Sequence, residues 1–251
     1  MAYLAPIHRP TSVRHALKLS LLAPEEECLV LAKANTLEIY SQTPDGLLLS
    51  YTRSLYGKVT MLERLRPPHS DLDHLFVGTD RYMYFTVSWD SHKRRLRTEK
   101  TYQDQADKTS RDSQTDDRCL IDPTRRFMAL LLFDGIVTII PISQRIKKKS
   151  VSDSGLLGDP VPARISDLFI RSAAFLYPQT GDGERLRIAL LYEDSQQRVC
   201  LSVRQLDYAA GGSGEPGSAD LDNVIGMRED IELGASHLIP VPAPACKPPR
   251  S

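Results

Sequence analysis

Thr36 to Arg66, TLEIYSQTPDGLLLSYTRSLYGKVTMLERLR, is the stretch on which the fold turns. It follows an apolar run, Leu29-Val30-Leu31-Ala32, across the short polar break Lys33-Ala34-Asn35, and resumes with Leu37, Ile39 and Tyr40. Apolar, β-branched and aromatic residues on both sides of a short break predict a hairpin. The unit then recurs. Leu75 to Gly78 breaks at Thr79-Asp80-Arg81 and resumes as Tyr82 to Val87; Phe127 to Phe133 breaks at Asp134-Gly135 and resumes as Ile136 to Ile140; Ile188 to Tyr192 breaks at Glu193-Asp194-Ser195 and resumes as Val199 to Val203. The breaks lie roughly 45 to 60 residues apart, in the range of propeller blades with loop insertions. The expected fold is therefore all-β. It is an incomplete β-propeller of about four to five blades made of antiparallel four-stranded sheets, spanning residues 1–244 and followed by an irregular Pro-rich tail at 245–251.

A chain of 251 residues buries a substantial core and suits one large all-β domain or two small ones. The 32 basic side chains are matched by 32 acidic ones, so whole-chain charge gives no pull toward nucleic acid. Cys28, Cys119, Cys200 and Cys246 are far apart and form no CxxC pair, which indicates neither a zinc site nor a disulfide framework. Residues Met1 to Thr11 contain no apolar signal core, and no run long enough to span a bilayer as a helix follows. A soluble, intracellular protein without membrane contact is expected. No window keeps a helical apolar stripe free of Pro, Gly or polar interruption. Three polar stretches read as loops between strand pairs: Ser91 to Arg118, whose first part extends a strand; Gln144 to Pro162; and Ala209 to Asp220. The prolines of Ala243 to Ser251, APACKPPRS, deny that segment a central-strand role. Core positions are expected at Leu29, Leu31, Phe76, Leu130, Leu132, Ile188 and Leu190.

Chemistry-bearing patterns are sparse. His8, His15, His69, His74, His92 and His237 show no metal-ligand spacing, and GxSxG, GxGxxG and P-loop motifs do not occur. Asp116-Asp117 and Glu25-Glu26-Glu27 lie in polar surroundings that rarely shift a carboxyl, and read as solvated charge. No catalytic residue, cofactor or metal is assigned. Lys93-Arg94-Arg95-Leu96-Arg97 reads as a charged strand edge that blocks mispairing, while Arg145 to Lys149 falls in a loop open to a phosphate or an import receptor. Trp89-Asp90 lacks the partner Gly-His of a tryptophan-aspartate blade and reads as coincidence. Asp134-Gly135 predicts a type I′ turn, and Gly57 in Tyr56-Gly57-Lys58 predicts a tight backbone approach.

Leu37-Glu38-Ile39-Tyr40, Asp45-Gly46-Leu47, Tyr56-Gly57-Lys58 and Arg66-Pro67 together resemble the N-terminal propeller of the damage-specific DNA-binding protein large-subunit family. Ile121-Asp122-Pro123, Phe133-Asp134-Gly135, Ile140-Pro141-Ile142, Phe175-Leu176-Tyr177 and Tyr192-Glu193-Asp194 continue the resemblance in order, over Ala2 to Pro244. It implies a non-enzymatic scaffold of three seven-bladed propellers that joins substrate receptors to a cullin-RING ubiquitin ligase in the nucleus, and also in the cytoplasm, during repair of damaged DNA. In such a scaffold the first and third propellers grip the receptor and the second docks the cullin. This chain would supply part of the first, with damaged DNA contacted at most indirectly and the cullin only through segments outside it. No receptor-contact residue is assigned. The pattern departs from the family after Pro244 and in the glycine-poor loop Thr101 to Arg118. The related scaffolds of pre-mRNA splicing and polyadenylation complexes are the alternative within the superfamily. A propeller-type hydrolase is the alternative from another class.

Overall fold

The computed structural model describes residues 11–68, 70–103, 115–143, 156–178, 185–211 and 217–242. Among these the chain is all-β, with no helix. The strands are β1 (His15–Ala23), β2 (Glu26–Lys33), β3 (Thr36–Thr43), β4 (Gly46–Ser54), β5 (Val59–Leu65), β6 (His74–Thr79), β7 (Met83–Asp90), β8 (Arg95–Gln103), β9 (Arg118–Ile121), β10 (Phe127–Phe133), β11 (Ile136–Pro141), β12 (Val161–Arg164), β13 (Ile170–Phe175), β14 (Leu186–Glu193), β15 (Val199–Ala209), β16 (Ser218–Asp220) and β17 (Val224–Ile231). They form four antiparallel sheets in meander order: β1-β2-β3-β4, β5-β6-β7-β8, β9-β10-β11-β12, and β13-β14-β15 with both β16 and β17 paired to β15. These are the blades of an incomplete β-propeller.

The strands divide into two compact units, β1 to β8 and β9 to β17. Each holds two sheets packed face to face. In the first unit Leu19, Leu21, Val30, Leu37 and Ile39 meet Val59, Leu62, Leu75, Val77 and Val87 from the second sheet. In the second, Ala129, Leu131, Val137 and Ile139 meet Ala173, Phe175, Ile188, Leu190 and Cys200. The first strands of paired sheets also touch, β1 against β5 and β9 against β13, as blades converge on their innermost strands.

The four breaks read from the sequence are the β2–β3, β6–β7, β10–β11 and β14–β15 connections. Of the expected core residues, Phe76, Leu130, Leu132, Ile188 and Leu190 are buried. Leu29 and Leu31 are only half-buried; Cys28, Val30 and Ala32 face the core in their place. The run is apolar on both faces, so only pairing fixes its phase. Val30 lies opposite Ile39 and Ala32 opposite Leu37, and that register turns the leucines outward.

Two further expectations are corrected. At Asp134-Gly135 only Gly135 has positive φ, 74°, so the turn is not type I′; a register shift between Leu130 and Phe133 accommodates it. Polar stretches read as loops contain the outer strands: β8 runs on to Gln103 with Tyr102 buried, Val161–Arg164 is β12, and Ser218–Asp220 is β16. Outer strands have one bonded edge and little core to fill, so their sequences need not be apolar. Pro162 sits in β12 because that strand is an edge.

Candidate interaction surface

At one end of the first unit three connections are knitted together. The β2–β3 turn supplies carbonyls to the β4–β5 loop, with Leu55 N donating to Asn35 O at 2.7 Å and Val59 N to Ala34 O at 2.8 Å. The same loop is joined to the β6–β7 turn: Asp80 N donates to Lys58 O at 2.9 Å, and Lys58 N donates to Asp80 Oδ1 at 2.7 Å. Gly57 lies at the crossing with φ of 109°, and a Cβ there would stand 2.9 Å from Asp80 Oδ1 and 3.1 Å from Arg81 Cγ. Glycine is required twice over, for the dihedral and for the space.

The closure holds Tyr56 out. Its side chain is 79% exposed, and the Arg81 guanidinium carbon lies 5.7 Å from the ring centroid, a cation–π arrangement that restrains an exposed aromatic before any partner arrives. Carboxylates at this end are already engaged. Glu38 accepts from Lys33 Nζ at 2.7 Å and from the Tyr40 hydroxyl at 2.6 Å, and that bond to Glu38 is the main cause raising the Tyr40 pKa.

The second unit repeats the construction with different side chains. Ile165 N donates to Gly135 O at 3.0 Å and Glu193 N to Phe169 O at 3.3 Å, linking the β12–β13 loop to the two flanking turns. Here Leu168 and Phe169 are exposed, and Phe169 has φ of 51°, uncommon for a bulky side chain. An ion pair anchors the loop from below. Asp167 Oδ2 accepts from Arg204 Nε at 2.9 Å and Ser202 Oγ at 2.8 Å, while Arg204 also donates to Leu221 O and Ser166 Oγ. Burial, followed by the negative field of Asp167, raises the Tyr192 hydroxyl to about 12. Exposed aromatic and Arg groups on ordered loops are what binding hot spots are built from.

The other sequence candidates stay apart from these loops or serve the fold. Glu26 and Glu27 are exposed, and Glu25 occupies the β1–β2 turn with φ of 62°. Asp116 is exposed and Asp117 half-buried. His92 lies in the β7–β8 turn, His237 bonds Ser236, and burial lowers the His74 pKa; His8 and His69 lie outside the described residues. No group of metal-ligating side chains occurs among the described residues. Cys28, Cys119 and Cys200 are in no disulfide, and Cys246 lies outside the described residues. Lys93 to Arg97 enter β8, the outer edge of its sheet, as the strand-edge reading requires; Arg145 to Lys149 fall outside the described residues. Trp89 packs edge-on against Tyr51 at 5.3 Å, and Asp90 caps the amide of Lys93. Asp122 and Asp194 likewise cap their own turns, accepting from Thr124 N and Arg198 N. The Tyr56–Arg81 pairing was not legible in sequence, because the two residues lie on different connections; the signal present was Gly57 beside an aromatic.

Comparison with known proteins agrees with this architecture. Residues 12–246 match the model of the RSE1/DDB1/CPSF1 first beta-propeller, a span that includes all four sheets. DNA damage-binding protein 1 of Schizosaccharomyces pombe is 31% identical over 208 residues, covering 82% of this chain and 19% of that protein. DNA damage-binding protein 1 of Oryza sativa subsp. japonica is 30% identical over 244 residues, 96% of this chain and 20% of the relative. DNA damage-binding protein 1a of Arabidopsis thaliana is 30% identical over 249 residues, 97% of this chain and 20% of the relative. The chain thus spans about a fifth of the length of the curated relatives it matches. With meander sheets in blade order and a family model matched from end to end of them, the chain belongs to the RSE1/DDB1/CPSF1 first β-propeller family.

Proposed function

We propose that the chain is a non-enzymatic interaction module, the first-propeller portion of an adaptor that joins substrate receptors to a cullin-RING ubiquitin ligase in the nucleus during DNA repair. The observation that carries this reading is the family match across residues 12–246, together with relatives named DNA damage-binding protein 1. The loop geometry supports it: the ends of the sheets present ordered, exposed aromatic and cationic side chains, suited to surface complementarity. Receptor proteins are the partners of this module, and the cullin is reached through other segments of the adaptor. A direct grip on damaged duplex is weak, since acidic and basic residues balance at 32 each.

The test is affinity purification of the tagged chain from nuclear extract, with the Arabidopsis relative in parallel. Recovery of ligase receptor proteins is expected when the tagged chain is joined to the remaining propellers of the Arabidopsis relative, and not from the chain by itself. Splicing or polyadenylation factors in their place would move the chain to the RNA-processing branch of its family, and tight, salt-sensitive binding to damaged duplex would contradict the indirect role in DNA recognition.

A further inference from the structure

The three knitted connections of the first unit carry more charge information than their geometry alone. Arg14, Lys58 and Arg81 are exposed there, and none has a carboxylate partner among the described residues. Arg14 joins this end through its amide, which donates to Ala32 O at 2.9 Å beside the β2–β3 turn. The nearby carboxylates are committed, Glu38 to Lys33 and Tyr40, and Asp80 to the Lys58 amide. What faces solvent is therefore the Tyr56 ring with the Arg81 guanidinium beside it and Lys58 two residues along the chain, while one oxygen of the exposed Asp80 carboxylate is held by the Lys58 amide.

We propose that this platform, built on Tyr56 and Arg81, is a docking site for an acidic protein segment that places a carboxylate against Arg81 and an apolar side chain against the Tyr56 ring. The proposal rests on the interaction-module reading and names the chemistry of one partner for it. Arg81 offers planar N–H groups that suit a carboxylate. Tyr56 offers a large contact area that Gly57 and the flanking hydrogen bonds have already ordered, so little conformational entropy is lost on binding. A nucleic acid backbone fits less well. Its phosphates reward a row of cations, whereas here a single guanidinium, that of Arg81, is paired with one aromatic ring.

Fluorescence anisotropy with the purified chain tests this, using a fluorescein-labelled peptide of alternating Glu and Leu, its Lys-Leu counterpart, and labelled duplex DNA. The Glu-Leu peptide is expected to bind and the Lys-Leu peptide not to. Arg81→Glu and Tyr56→Ala should each weaken binding roughly tenfold or more. Arg97→Glu, the same charge change on the β8 edge, should leave it unchanged. Both platform side chains are exposed, so circular dichroism and melting of the variants should match the parent chain. Equal binding by Arg81→Glu and the parent, loss with Arg97→Glu in its place, or DNA binding without peptide binding would each overturn the proposal. Receptor recovery that persists when the peptide fails to bind would remove only the acidic-segment assignment and leave the adaptor reading standing.

Discussion

Glu63 on β5 is half-buried, and its carboxyl has no cation or hydrogen-bond partner among the described residues. Burial alone pushes its carboxyl from 4.5 up to about 7. The folded protein therefore binds this proton more tightly than the unfolded chain. The resulting stabilisation is complete below about pH 4.5 and is lost as pH rises through about 7. Denaturant melts across that window should show stability falling by on the order of 1–3 kcal/mol, and Glu63→Gln should flatten the dependence. A parent profile that rises with pH there would contradict the assignment. Residue-level burial gives a second test. Ile39→Ala removes a fully buried side chain and should cost ~2–5 kcal/mol, whereas Leu29→Ala, from the half-buried face of β2, should cost about 1 kcal/mol or less. Composition showed that β2 was apolar, but which leucines face the core depends on cross-strand register, a non-local property that the segment does not encode by itself.

At the scale of elements, turns were the most legible feature. Each break holds residues whose local hydrogen bonding or φ fits a reversal, as with Asp194 capping Arg198 N and Gly135 at positive φ. Outer strands were the least legible, since β8, β12 and β16 carry polar or proline-containing sequences that edges tolerate. The two turn glycines differ in a measurable way. An alanine Cβ at position 57 meets Asp80 Oδ1 at 2.9 Å, whereas at 135 its nearest atom is Ile165 O at 3.4 Å. Both substitutions strain a positive φ, so Gly135→Ala should cost about 1 kcal/mol and Gly57→Ala roughly 2–3 kcal/mol. Equal costs by thermal melting would show that the β4–β5 loop yields more easily than its contacts imply. The β12–β13 loop depends on charge in its place. Asp167→Ala leaves buried Arg204 unpaired and should destabilise by about 3–5 kcal/mol, while Asp167→Leu combined with Arg204→Met should recover much of that loss. A double variant no better than Asp167→Ala would assign the cost to loop geometry rather than to an uncompensated charge.

For the whole molecule, the blade plan followed from repeated strand pairs, and the family from motifs that lie partly in strands, as Leu37 to Tyr40 in β3, and partly at connections, as Asp45-Gly46, Tyr56-Gly57-Lys58 and Asp134-Gly135. Platform chemistry did not follow, because Tyr56 and Arg81 meet only after separate connections fold together. The sheets also leave edges of unequal character. β8 carries exposed Arg95 and Arg97, charges that oppose strand addition by a like edge. β4 has no such protection: Leu47, Leu48 and Leu49 are all exposed on the outer edge of the first sheet. On β17, Val224, Ile225 and Met227 are exposed as well. A bulge interrupts β4 between Tyr51 and Leu49, so its flat, pairing-competent part is Gly46 to Leu49, which contains the three leucines. Exposed apolar edge strands recruit other strands, and the chain's net charge of zero supplies no long-range repulsion between copies. The purified chain should therefore self-associate as concentration rises in size-exclusion chromatography with light scattering. Leu48→Lys, which places a charge on the edge without touching the core, should shift the distribution toward monomer, whereas Arg97→Glu, made on a strand that is already protected, should not. Unchanged association in Leu48→Lys would take β4 out of the contact and point to β17, and a monomer at every concentration would show that neither edge is competent to pair.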